Sequence, residues 1–200
     1  MVEKLLSGKS VKMDNSIYDN DFWQDQIKSP QEGPQFILDF IRGLAPDKYG
    51  PKDADRLYGA YYDHAITQSR YPFLKEYFLF ERNLRNIIAA LRARQKEWNL
   101  AHYLVGEDEW VSNLERSSVE DFGLSDEYPW ISNLLSTDYP PQRQDLIEQI
   151  IWEYLETQAG NDPFHFNAIL SYILKLEILE KKLSMSQEKG MNIVRRLEEH

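Results

Sequence analysis

The sequence predicts an all-α fold built of compact helical lobes. Three observations carry this. Apolar residues recur at 3.6-residue spacing through long segments. Only 9 Gly and 9 Pro punctuate 200 residues, fewer than a succession of short strands needs. The 42% hydrophobic content, with 5 Trp, 12 Tyr and 9 Phe, supplies the core that a disordered chain lacks.

Residues 1–30 are polar and weakly patterned and read as an N-terminal arm, with a short segment around Tyr18–Trp23. A helix follows Pro34, which suits the first helical position, with Phe36, Ile37, Phe40 and Ile41 on one face and Gly43 near its end. Pro46, Gly50 and Pro51 mark a loop. Asp53 is a candidate N-cap for a second helix to about Gln68, whose face is Leu57, Tyr58, Tyr61, Tyr62 and Ala65.

After Ser69 and Pro72 comes the strongest pattern in the chain, over residues 73–98. Phe73, Tyr77, Phe80, Leu84, Ile87 and Leu91 alternate steps of four and three, the stripe of a core-facing helix. Arg92, Arg94 and Lys96 crowd its last turns, where the helix dipole favours cations.

Residues 100–140 are irregular, with a helix around Glu107–Leu114 and a single turn from Ser118 to Gly123. Asp138 and Pro140–Pro141 open a helix to about Gln158, with Leu146, Ile147, Ile150, Ile151, Tyr154 and Leu155 as its apolar positions. Asp162–Pro163 starts another, running to residue 183, so apolar in its first half that it should be central. Its Ile169, Ile173 and Leu176 are expected to share a core with Phe80, Leu84 and Ile87. Ser186, Gln187 and Glu188 start a last amphipathic helix carrying Ile193, Val194 and Leu197. The helical part, 31–200, divides into possible lobes at 31–105 and 106–200.

Composition narrows the chemistry. With no Cys there is no disulfide, thiolate site or Cys nucleophile. The N-terminal stretch MVEKLLSGKSVKMDNS lacks an apolar run of signal-peptide length, and no segment is apolar for long enough to span a bilayer, so a cytoplasmic protein without membrane insertion is expected. His64, His102, His165 and His200 show no metal-ligand spacing. Phosphate-binding glycine loops and a GxSxG elbow are missing. Asp121-Phe122-Gly123 spells a kinase tripeptide without the rest of the kinase set, and reads as a helix stop. No enzyme activity, cofactor or metal is expected.

Charge is segregated. The net is −10, yet residues 100–165 hold 14 acids and 2 bases, a local net of −12. Such a chain repels phosphates, which argues against nucleic acid. The acidic stretch is either a solvated face or a dock for a basic partner, and Glu107, Asp108 and Glu109 are its candidate partner-binding residues, expected to be exposed.

Two stretches carry a resemblance. ERNLRNIIAALRAR, residues 81–94, is similar to a recurring helix of the C-type subunits of V-type and archaeal-type ATPases (d-type in eukaryotes), with Glu81, Leu84, Asn86 and Arg92-Ala93-Arg94 on its pattern. AILSYILKLEILEKKL and the following SQEKGMNIVRRLEE resemble the last lobe of that family through Tyr172, Leu174, Glu177, Leu183, Arg196 and Leu197. The whole chain resembles, more specifically, an uncharacterised bacterial family encoded beside V-type ATPase genes. The resemblance implies a helical lobe fold related to the C-type family. It also implies a non-catalytic structural component of a V-type ATPase, cytoplasmic and peripheral to the inner membrane, that couples the central stalk to the membrane rotor ring. Its partners would be the stalk proteins and that ring, in a machine for ion transport. A helical adaptor of another complex, or an uncharacterised helical enzyme, are the alternatives.

Overall fold

A computed structural model describes residues 18–44 and 50–184. The described residues are all helical or irregular, with eight α-helices and no strand among them. The chain divides into two compact units, with the boundary after Leu124 and not after residue 105. The segment 106–124 therefore belongs with the long helix before it, for reasons visible in its side-chain bonds.

In the first unit, α1 spans Asn20–Lys28 and is capped by Asp19, whose Oδ1 accepts the Phe22 N–H at 2.8 Å. Trp23 is buried, and Tyr18 stacks on Phe22 with ring centroids 4.3 Å apart. Buried Gln26 accepts the N–H groups of Gln31 and Glu32 at 2.8 and 2.7 Å, turning the chain back. At Gly33, φ +126°, an added Cβ would lie 3.6 Å from the Trp23 indole. Residues 18–30, read as the end of a polar arm with a short segment around Tyr18–Trp23, are thus a packed element. One aromatic side chain, Trp23, outweighs the polar surroundings.

Helix α2 (Gln35–Arg42) starts one residue later than expected and buries Leu38, Phe40 and Ile41. The expected Pro46 turn lies outside the described residues. Helix α3 (Pro51–Gln68) begins at Pro51, so Asp53 is not its N-cap. Its carboxylate instead reaches back to accept the Gly50 N–H at 3.0 Å, closing the first turn from the third position. Tyr62 is its buried aromatic, and burial, with Glu81 nearby, pushes its phenol well above the ordinary range.

Helix α4 (Pro72–Gln95) follows the sequence stripe closely. Phe73, Tyr77, Leu84, Ile87 and Leu91 are buried, while Phe80 is only half-buried. Ala90 and Ala93 are also fully packed, and their small side chains let neighbouring segments approach. The helix ends with Trp98 N–H bonded to Ala93 O at 2.8 Å and Glu97 N–H to Arg94 O at 3.1 Å, with Glu97 left-handed at φ 56°. This is a Schellman stop with Glu where Gly is usual. A 3₁₀ turn at Leu100–His102 and helix α5 (Glu109–Arg116) complete the unit, followed by the loop to Leu124. No helix covers Ser118–Gly123; Phe122 and Gly123 are both left-handed there, at φ 61° and 72°.

In the second unit, a short α6 (Ile131–Ser136) precedes the antiparallel pair α7 (Pro140–Ala159) and α8 (Phe166–Ser184). Ile131, Leu134, Ile150 and Leu155 form its core. Gly160, at φ 69°, ends α7. Asp162 does not open α8: its Oδ1 accepts the Phe164 N–H at 2.9 Å in a turn, and the helix begins at Phe166. The burial expected of the α8 residues in a core shared with α4 is not seen. The two helices belong to different units, and Ile169, Ile173 and Leu176 are exposed. The expected helix from Ser186 lies outside the described residues.

Candidate functional site

The acidic residues singled out in the sequence open α5. Glu107, Asp108 and Glu109 are all exposed, but they are not equivalent. Asp108 is the N-cap and accepts the Val111 N–H at 3.0 Å. It also pairs with the guanidinium of Arg82, a buried side chain of α4 that holds Asn83 Oδ1 as well, at 3.2 Å. Partial burial opposes its charge, yet the Val111 N–H and Arg82 overcome this and hold the carboxyl below its ordinary range.

Glu107 borders an open cleft of about 960 Å³ between α3 and the 101–108 segment. Lys52, Arg56 and Arg82 line the same cleft as Asp55, Asp63 and Asp108. Asp55 is bridged to Arg85 at 3.2 Å and Asp108 to Arg82. The local field is mixed, so the −12 of the sequence segment does not gather into a one-sign wall around these three residues. Among the described residues no group of His, Asp and Glu is arranged to hold a metal ion.

The feature that sequence reasoning misses is on α8. Lys175 pairs with Glu156 and lies 5.1 Å from the Trp152 ring, and Lys182 reaches Asp145 at 2.8 Å and Glu148 at 3.6 Å. These contacts, with buried Ser171, fix the side of α8 that meets α7. On the other side Phe166, Ile169, Tyr172, Ile173, Leu176, Leu179 and Leu183 stay exposed, with Phe164 before them 90% exposed and Leu183 70%. At 100° per residue the seven helical positions fall within an arc of about 140°. With side chains of roughly 150–250 Å² each, the exposed apolar surface is on the order of 800 Å², above the patch a typical monomer shows.

Sequence periodicity signals this only indirectly. A helix apolar on nearly every side is normally enclosed. Among the described residues of this unit, however, α7 is the other long helix and α6 has six residues, too few to enclose α8. Glu180, in the middle of the open arc, is the one available hint.

A family model described as "Protein of unknown function (DUF2764)" matches residues 8–200. No curated protein and no solved structure matches the chain. The family match overturns the resemblance to the C-type family of V-type ATPases, and the expected ties to V-type ATPases and ion transport lose that support. The physical reason lies in the residues that carried the resemblance. Leu84 and Asn86 are buried in α4, and Asn86 bonds the backbone of Val105. Such positions record helix packing, which unrelated helical proteins share. Among the described residues, no helix is long and apolar enough to cross a membrane.

Proposed function

The chain belongs to the DUF2764 family, and from that premise we propose that it is a non-catalytic helical interaction protein that docks through α8. The observation that carries this reading is the exposed apolar arc of α8, from Ile169 to Leu183, on a helix whose opposite side is pinned to α7 by two lysines. Leaving that much apolar surface in water costs free energy that docking recovers, at about 25 cal/mol per Å². The cleft in the first unit supports the same reading, because its Asp55 and Asp108 are held in ion pairs with α4 arginines, as structural carboxylates are.

The test is a photo-crosslinking amino acid placed at Ile173 in the living cell, with exposed Gln142 on α7 as the control position. The reading expects protein crosslinks at Ile173 well above those at Gln142. Equal yields at both positions would remove it.

A further inference from the structure

We infer that the occupant of the α8 face is a second copy of this chain, joined as an antiparallel, two-fold-symmetric α8 pair. The inference rests on the reading that this face docks a protein, and three observations take it further.

The first is symmetry in the exposed positions themselves. Around Leu176 the open residues lie three, four and seven positions away in both directions. Ile173, Tyr172 and Ile169 precede it, and Leu179, Glu180 and Leu183 follow. A two-fold interface presents one patch to itself, so each residue must suit its mirror position. An axis at Leu176 sets Leu176 on its own copy. It also sets Ile173 on Leu179 of the partner subunit, and Ile169 on Leu183 of the partner subunit. The one polar member, Glu180, then faces Tyr172 of the partner subunit. A phenol donates to a carboxylate, so the interruption is accommodated.

The second is charge. The chain carries −10, which opposes association of two copies. Residues 162–184 hold three acids, Asp162, Glu177 and Glu180, against three bases, Lys175, Lys181 and Lys182. Lys175 and Lys182 are paired with α7 carboxylates on the opposite side, and within the exposed arc Glu180 is the one charged residue, so two copies bring little charge to the seam.

The third is area. About 800 Å² from each copy is the amount a standard stable interface buries per partner.

The experiment measures the mass of the full chain by light scattering over a range of concentrations. The expected species has twice the 23.7 kDa chain mass. Ile173→Glu should return the mass to one chain, with dissociation strengthened at least about 100-fold, because two carboxylates would be buried in an apolar seam. Its helical circular dichroism should be unchanged, since Ile173 is exposed in the single chain. Because the chain has no Cys, Leu176→Cys gives a single thiol on the proposed axis. A short bismaleimide should link two such chains, and should not link Gln142→Cys.

A monomeric wild-type chain, a dimer that survives Ile173→Glu, or no linkage at Leu176→Cys would each overturn the inference. So would dimerisation that appears only after residues 185–200 are removed. If the chain is monomeric while Ile173 crosslinks to a different protein, only the self-pairing falls. If Ile173 crosslinks to nothing above control, the docking reading falls with it.

Discussion

Asn86 and Val105 hold one another through two hydrogen bonds. The Asn86 Nδ2 donates to Val105 O and the Val105 N–H donates to Asn86 Oδ1, both at 2.8 Å. Asn86 is 0% exposed and Val105 is buried, so neither backbone group has water as an alternative. This pair ties the 101–108 segment to α4. Asn86→Ala should cost roughly 2–4 kcal/mol in urea denaturation, because it strands a buried donor and a buried acceptor. A loss below about 1 kcal/mol would mean that the segment rearranges to satisfy both groups elsewhere.

Glu97 makes the opposite kind of case. It is left-handed at φ 56°, closing α4, in a conformation that disfavours a side chain with a Cβ. Glu97→Gly should raise stability by about 0.5–1 kcal/mol. Thermal melting of the two proteins side by side checks this. A lower melting temperature for the variant would show that the Glu97 side chain contributes more than its backbone strain costs.

The Arg82–Asp108 pair should appear in the pH dependence of folding. The folded Asp108 carboxyl titrates below its ordinary value of about 3.9. A depressed folded value means that its stabilisation is fully present above the unfolded value and is lost as pH falls through the folded one. Asp108→Asn should therefore flatten the stability profile below about pH 4. At neutral pH it should lower stability by roughly 1–2 kcal/mol, because buried Arg82 loses its charged partner while Asn keeps the N-cap, and because Asp108 itself is partly solvated. The companion changes Glu107→Gln and Glu109→Gln should cost less at neutral pH, since Asp108 is the residue that pairs with Arg82. Equal losses at all three positions would show that the ion pair carries no special weight.

How much of the molecule is legible in its sequence depends on what holds each element. The α4 stripe is legible because the contacts that bury Leu84 and Ile87 follow the helix's own period. Trp23 escapes such reading because Phe22 and Trp23, standing among Asp21, Gln24 and Asp25, set up no period. The 117–123 loop escapes it for a related reason. Its anchor is Arg94, 23 residues from Ser117, whose guanidinium lies 3.7 Å from the Phe122 ring centroid and donates to Ser117 O at 2.6 Å and to Val119 O. Basic residues at a helix end read as dipole partners, and nothing local shows that one reaches across to a loop. In α8 the periodicity is plain and its consequence is not. An apolar helix says that it will be covered, but it does not say by what.

That last distinction yields a prediction about two apolar residues of the second unit. Leu155 on α7 is 0% exposed and Ile173 on α8 is 47% exposed. Truncating a buried leucine removes transfer free energy and leaves a cavity, so Leu155→Ala should cost roughly 2–5 kcal/mol at any protein concentration. Ile173→Ala should behave differently. In the isolated chain it removes only half-solvated methyl groups and should cost less than about 1 kcal/mol. If the α8 faces pair, folding is linked to association, and the wild-type melting temperature should climb with protein concentration. The gap between wild type and Ile173→Ala should then widen as concentration rises, while the gap to Leu155→Ala stays constant. Denaturation at two well-separated concentrations measures both gaps. A concentration-independent loss of more than about 2 kcal/mol for Ile173→Ala would place that side chain inside the core of its own chain, and the open face with it.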